Sequence, residues 1–216
     1  DIPTVMVFSR WGKVAAAVTA TELITRFGVT HLLFTGVAGA VDPRLRIGDI
    51  VVGESLVQHD LDARPIFKQF EVPLLRQTRL TTDLRDRETL WQAALHFVQQ
   101  QFSTVISSEA KEEFALAQPA VYLGEIATGD QFFTSSMAAA GLRARLPNAL
   151  CVEMEGAAVA QVCAEYGVPM TVFRTISDSA NEHAPINFSH FTKNVAARYS
   201  HAIVENWLTR FRSSDS

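Results

Sequence analysis

Four short segments of this sequence bring acidic, small or aromatic residues together in spacings that chemistry can use. In Val152-Glu153-Met154-Glu155-Gly156, two carboxylates bracket a methionine. An ionised carboxylate only accepts hydrogen bonds, and such charge-assisted bonds suit the vicinal hydroxyls of a ribose. Met154 would offer the sugar a soft apolar surface. The plainer alternative has both glutamates favouring a helix start, worth about 0.3 to 1 kcal/mol each. In Arg174-Thr175-Ile176-Ser177-Asp178, an acid stands just past an apolar run. Partial burial there would raise its pKa and fit it to donate a proton. Arg174 is a candidate to pair with it, and a helix cap by Asp178 is the competing reading.

Two further segments could meet a ligand, one through aromatic rings and the other through backbone N–H groups able to hold an anion or a water. Thr128-Gly129-Asp130-Gln131-Phe132-Phe133 places two aromatic rings after a glycine, where they can sandwich a planar base; core packing is the alternative for one of them. Thr35-Gly36-Val37-Ala38-Gly39-Ala40 has residues small enough for a ligand to approach the backbone, or forms a simple tight turn. The six histidines, at positions 31, 59, 96, 183, 190 and 201, show no metal-ligand spacing. No G-x-S-x-G elbow or Walker A loop occurs, which removes support for serine-hydrolase and nucleotide-triphosphate chemistry.

These segments need elements to hold them. Apolar runs at 5–8, 31–35, 50–57, 104–107, 120–128, 149–152 and 170–174 read as strands. Helical stretches are expected over 13–27, ended by Gly28, over 84–100 behind a cap at Thr82 or Asp83, from Ser135 to before Pro147, over 155–166, ended by Gly167, and over 188–211. Residues 59–79 lack periodicity and form a long connection; Phe67 and Phe70 make it the candidate subunit contact. Strands alternating with helices predict a single α/β domain over 1–216, with a mixed, mostly parallel central sheet flanked by helices.

Composition narrows the function classes. A net charge of −4 argues against a nucleic-acid partner, and no apolar run is long enough to span a membrane. The N-terminus lacks the pattern of a secretory signal, and two cysteines, Cys151 and Cys163, are too few for a disulfide framework, so a cytoplasmic setting is expected. No metal or cofactor is expected.

Taken in order, these segments resemble the purine nucleoside phosphorylase superfamily, and within it the methylthioadenosine/S-adenosylhomocysteine nucleosidase branch. The likeness runs from about Val5 to Leu208. It is carried by Ser9-Arg10-Trp11-Gly12-Lys13-Val14-Ala15-Ala16-Ala17, Thr35-Gly36-Val37-Ala38-Gly39, Gly48-Asp49-Ile50-Val51-Val52, Thr128-Gly129-Asp130, Val152-Glu153-Met154-Glu155 and Arg174-Thr175-Ile176-Ser177-Asp178.

The resemblance implies a homodimeric hydrolase that releases adenine from methylthioadenosine, S-adenosylhomocysteine or a relative such as a futalosine. Asp178 would be the catalytic acid at N7 of the base, oriented by Ser177 and Arg174. Phe132 and Phe133 would line the base pocket, Met154 and Glu155 would hold the ribose, Phe188 would cover the sugar, and Val37, Ala38 and Gly39 would complete the cavity. Superfamily phosphorylases carry phosphate-binding side chains where this chain has Phe34 and Val37, which favours water as the nucleophile, with Arg10 as the one nearby cation that could hold a phosphate instead. Val37 also stands where the nucleosidase branch has a serine. The family's first strand, and the acid/base glutamate that follows it, lie ahead of the first residue of this sequence. Two alternatives therefore accompany the hydrolase: a phosphorylase, and a catalytically silent purine-nucleoside-binding protein.

Overall fold

A computed structural model describes residues 2–178 and 188–214. Helix α1 (Lys13–Phe27) ends at Gly28, whose φ of 62° is the left-handed cap expected there. Strand β1 (Leu32–Ala40) follows, then β2 (Ile50–Gln58) and the short β3 (Leu80–Thr81). Helices α2 (Leu84–His96), α3 (Phe102–Val105) and α4 (Ser108–Glu113) lead to β4 (Val121–Thr128). Helix α5 (Ser136–Arg145), β5 (Ala149–Glu153), α6 (Gly156–Tyr166), β6 (Met170–Asp178), α7 (Phe188–Phe191) and α8 (Ala197–Ser214) complete the order.

The sheet is mixed, with strand order β3-β2-β4-β5-β1-β6, and its longest ladders, β1–β6 and β2–β4, are parallel. Antiparallel pairing of Ile50–Val52 with Phe173–Thr175 joins β2 back to β6, so five strands close into a ring. One layer of helices, mainly α2 and α8, covers Ile50, Val52 and Phe173. The other, α1 and α6, covers Val51, Leu56, Val172 and Ile176. The successive residues Val51 and Val52, or Val172 and Phe173, thus serve opposite layers, as the two-residue period of a strand requires.

Several expectations are corrected. Residues 5–8 form no strand: they make no ladder, and Val5, Met6, Val7 and Phe8 are exposed. Residues 104–107 read as a strand because Thr104, Val105 and Ile106 are β-branched. Instead, α2 runs on through a π-helical turn (Phe97–Gln101) into α3, because Phe97 and Phe102 bury their rings against Tyr199. Tertiary packing overrides local propensity here. Strands β1 and β6 each continue past the expected end, so Asp178 is the last residue of its strand. Phe70 is buried under Arg145 and so is not a surface contact, whereas Ile66 and Leu74 of the same connection are exposed. Among the described residues no helix is long and apolar enough to cross a membrane.

Candidate active site

The ends of β1, β4, β5 and β6 meet at one edge of the sheet. Gly39 is the hinge of this arrangement: it pairs with Val152 of β5 on one side and with Asp178 of β6 on the other. Adjacent strands lie about 4.8 Å apart, so the chain positions that lead to Glu155 and Asp178 are separated by roughly two strand spacings. A shift of register between Ala38 and Gly39 marks a bulge at the end of β6, of the kind that re-aims side chains. Asp178 is buried, and the Ser177 hydroxyl donates to its Oδ2 at 2.7 Å.

Arg174 does something different from its expected role. Its Nη2 donates to Glu153 Oε2 at 2.6 Å, and its side chain and that of Glu153 are only 1% and 2% exposed. The guanidinium lies over the Phe34 ring, 4.3 Å from the centroid. Arg174 belongs to β6 and Glu153 to β5, with β1 between them. Gly36, the register partner of Arg174, lies along this crossing, where a Cβ would make ordinary contact with the guanidinium at 3.5 Å. Four residues along a strand span about 13 Å, which explains why Arg174 does not orient Asp178 directly.

The two glutamates of the Glu-Met-Glu segment also separate. Glu153 ends β5 and turns inward. Its carboxylate accepts from the Gly156 N–H at 2.8 Å, the Glu155 N–H at 3.1 Å and the Thr128 hydroxyl. The Thr128 hydroxyl in turn accepts from the Ala157 N–H at 2.9 Å. Together they satisfy the first donors of α6, which would otherwise be orphaned in a buried place. Gly156 is required by this closeness, since a Cβ would fall 2.6 Å from Leu56. Glu155 instead faces the open edge, half-buried, and accepts from the Gly12 N–H at 2.7 Å. Burial, then the charge of Glu153, push its pKa above the ordinary carboxylate value. Met154 is half-buried between them.

The aromatic residues divide as well. Phe132 is 44% exposed and meets Phe188 edge-on at 6.0 Å, and Phe188 meets Trp11 in the same manner at 5.9 Å. Phe133 is half-buried against His59, 5.4 Å away. Val37 sends its side chain into the α2–α8 core and Ala38 is buried, so both would meet a ligand through their backbone. Ile186 and Asn187, which precede Phe188, lie outside the described residues, as does Asn181 after Asp178.

Three contributors were not foreseen as such. Trp11 extends the aromatic wall. His59 backs Phe133, and burial holds its pKa below the usual histidine value. The start of α1 is clasped by side chains from elsewhere: Lys13 N–H donates to Asp130 at 2.9 Å, its ammonium pairs with Asp60 at 2.7 Å, and Asp60 accepts from the Asp130 N–H. The continuation of β2 through Gln58 into His59 and Asp60 was the available signal for the last two. A recess of about 470 Å³, lined by Arg10, Trp11, Gly12, Lys13, Val14 and Asp130 among others, opens beside this clasp.

Comparison with known proteins gives the family of the chain. Residues 2–209 match the family profile described as the Phosphorylase superfamily. A 5'-methylthioadenosine/S-adenosylhomocysteine nucleosidase of Mycobacterium tuberculosis is 35% identical over 195 residues, covering 86% of this chain and 73% of the relative. The protein of that name from Geobacillus thermodenitrificans is 33% identical over 213 residues, covering 98% and 81%. Among solved structures, the Neisseria meningitidis nucleosidase of the same name, in complex with methylthio-immucillin-A, superposes with a TM-score of 0.79 at 32% identity, covering 93% of this chain and 78% of that one. Helicobacter pylori futalosine hydrolase gives a TM-score of 0.75 at 32% identity, covering 93% and 77%.

Proposed function

The chain belongs to the phosphorylase superfamily, and from that premise we propose that it hydrolyses the N-glycosidic bond of an adenine nucleoside, such as methylthioadenosine or S-adenosylhomocysteine. The observation that carries this reading is the flanking of Gly39 by the strands leading to Glu155 and Asp178. Cleavage of such a bond draws electrons into the base and leaves positive charge on the sugar, as in glycoside hydrolysis. Asp178 donates to N7 of the purine, so that the base departs neutral. Glu155 accepts from the ribose hydroxyls, and its negative charge favours the cationic sugar over the neutral substrate. Phe132 and Phe188 stack on and cover the ligand, Phe133 lines the base pocket from its His59 support, and Met154 packs on the sugar.

Water is the nucleophile in this reading. A phosphorylase needs cations for its phosphate, and Arg174, the buried register partner of Gly36 in β1, is already neutralised by Glu153. Incubation with methylthioadenosine should therefore release adenine at a rate independent of added phosphate. Chromatography for free base and free sugar checks this. Release that requires phosphate and yields a sugar phosphate would favour the phosphorylase instead, and no release from any adenine nucleoside would reject the reading.

A homodimer accompanies the proposal. Val14 and Val18 of α1, and Trp11 just before it, are exposed at helical spacing, and Ile66 and Leu74 of the 59–79 connection are exposed as well. Sedimentation velocity should give a dimer that Val14→Glu converts to a folded monomer; a monomeric wild type would refute this. A reducing, cytoplasmic setting suits the two buried free thiols, Cys151 and Cys163.

A further inference from the structure

The Glu153–Arg174 pair is buried, and Glu153 accepts the N–H groups on both sides of the Glu155 Cα. We infer that Glu153 and Arg174 are positioning residues for Glu155: Glu153 fixes the peptide that carries it, and Arg174 provides the counter-charge that lets two glutamates stand two positions apart at one strand end. The inference rests on the proposed role of Glu155 as the carboxylate on the sugar.

Geometry makes the case first. The Glu153 carboxylate receives the N–H groups of both Glu155 and Gly156, so the backbone on either side of the Glu155 Cα is tied to one rigid acceptor. That acceptor is itself held by Thr128 of β4 and Arg174 of β6, strands on opposite sides of β5 and β1. Arg174 is fixed in turn by the Phe34 ring and by donation to the Phe173 carbonyl at 3.1 Å. A helix cap alone needs no arginine. Capping is commonly done by serine, threonine, asparagine or aspartate without a buried cation.

Charge supplies the second half. The charged groups on the elements around Glu155 are Glu153 on β5, Arg174 and Asp178 on β6, and Lys13, Asp60 and Asp130 at the clasp of α1. Of these, Glu153 raises the Glu155 pKa and Arg174 lowers it; the Gly12 N–H also lowers it. Burial raises the Glu155 pKa most, and the buried pair adjusts it further, so the acid side of the activity profile should respond to the pair. Removing Glu153's charge leaves Arg174 acting alone, which makes Glu155 easier to ionise. Removing the Arg174 charge as well reverses part of the change, because Arg174 lowers the pKa by less than Glu153 raises it.

The test titrates the whole protein with carboxyl-¹³C-labelled glutamate by NMR, assigning Glu155 through Glu155→Gln, and records adenine release against pH in parallel. Glu153→Gln should lower the Glu155 midpoint by about one pH unit, a displacement that two charges a few ångströms apart readily produce. Glu153→Gln/Arg174→Met should bring it part of the way back towards wild type, while lowering kcat about tenfold, because a neutral amide holds the two N–H groups less firmly. The double variant buries no unpaired charge, so it carries the test through its rate if the single variant fails to fold. An unmoved midpoint in Glu153→Gln, or a double variant with wild-type kcat, would overturn the inference. Should wild type release no adenine, the proposed function falls, and the NMR midpoints alone decide this one.

Discussion

Asp178→Asn should lower kcat/KM for adenine release by about 10² to 10⁴-fold, equivalent to roughly 3 to 5.5 kcal/mol of transition-state stabilisation. The substitution keeps the shape and the hydrogen bond with Ser177, which at 2.7 Å an amide can still satisfy as acceptor. What it removes is the ability to give a proton to the departing base. The loss should fall on kcat, since an amide can still bond to a purine in the ground state. Circular dichroism and thermal melting should show a fold close to wild type. Turnover unchanged within about twofold would remove Asp178 from the chemistry and return it to a structural role at the end of β6.

The second large effect belongs to Glu155. Glu155→Gln should reduce kcat/KM by about 10² to 10³-fold, shared between a higher KM and a lower kcat. Charge-assisted hydrogen bonds are about twice as strong as neutral ones, which accounts for weaker binding of the hydroxyls. Loss of negative charge beside a developing cation accounts for the slower step. The glutamine carbonyl can still accept from the Gly12 N–H, so the start of α1 stays held. The pH dependence follows from the direction of the pKa shift. Glu155 acts as an anion, and burial with the Glu153 charge raises its pKa, so activity should fall with decreasing pH at a midpoint above the ordinary carboxylate range. Steady-state rates measured from pH 4 to 8 check this. If Glu155 served only the helix dipole, the substitution would cost at most about 1 kcal/mol of stability and leave the rates alone.

Much of this arrangement was legible in the residues. Glycines 28 and 167 announced helix ends, and both take the left-handed conformation. Apolar runs gave the strands on either side of Gly39, and the Glu-Met-Glu segment was correctly read as the join of a strand to a helix. The pairing of charges was not legible. Arg174 and Asp178 lie close in sequence, which suggested a partnership. The partner is Glu153, reached across β1 over a glycine, and only register can reveal that. For the same reason Gly36 looked like a place for a ligand to approach, whereas the guanidinium of Arg174 lies beside it. The closure of β2 onto β6 was equally invisible, because strand neighbours distant in sequence leave no periodic signal. His59 and Trp11 were hidden by their surroundings: one continues a strand into an irregular connection, and the other follows an exposed segment with no partner strand.

The account depends on two carboxylates sharing one ligand from opposite sides of Gly39. A crystal structure of the protein with a non-hydrolysable adenosine analogue examines that directly. Purine N7 should lie within about 2.6 to 3.2 Å of an Asp178 oxygen, and a ribose hydroxyl at similar distance from Glu155. An analogue bound with its sugar away from Glu155, or seated where neither carboxylate reaches it, would contradict the account.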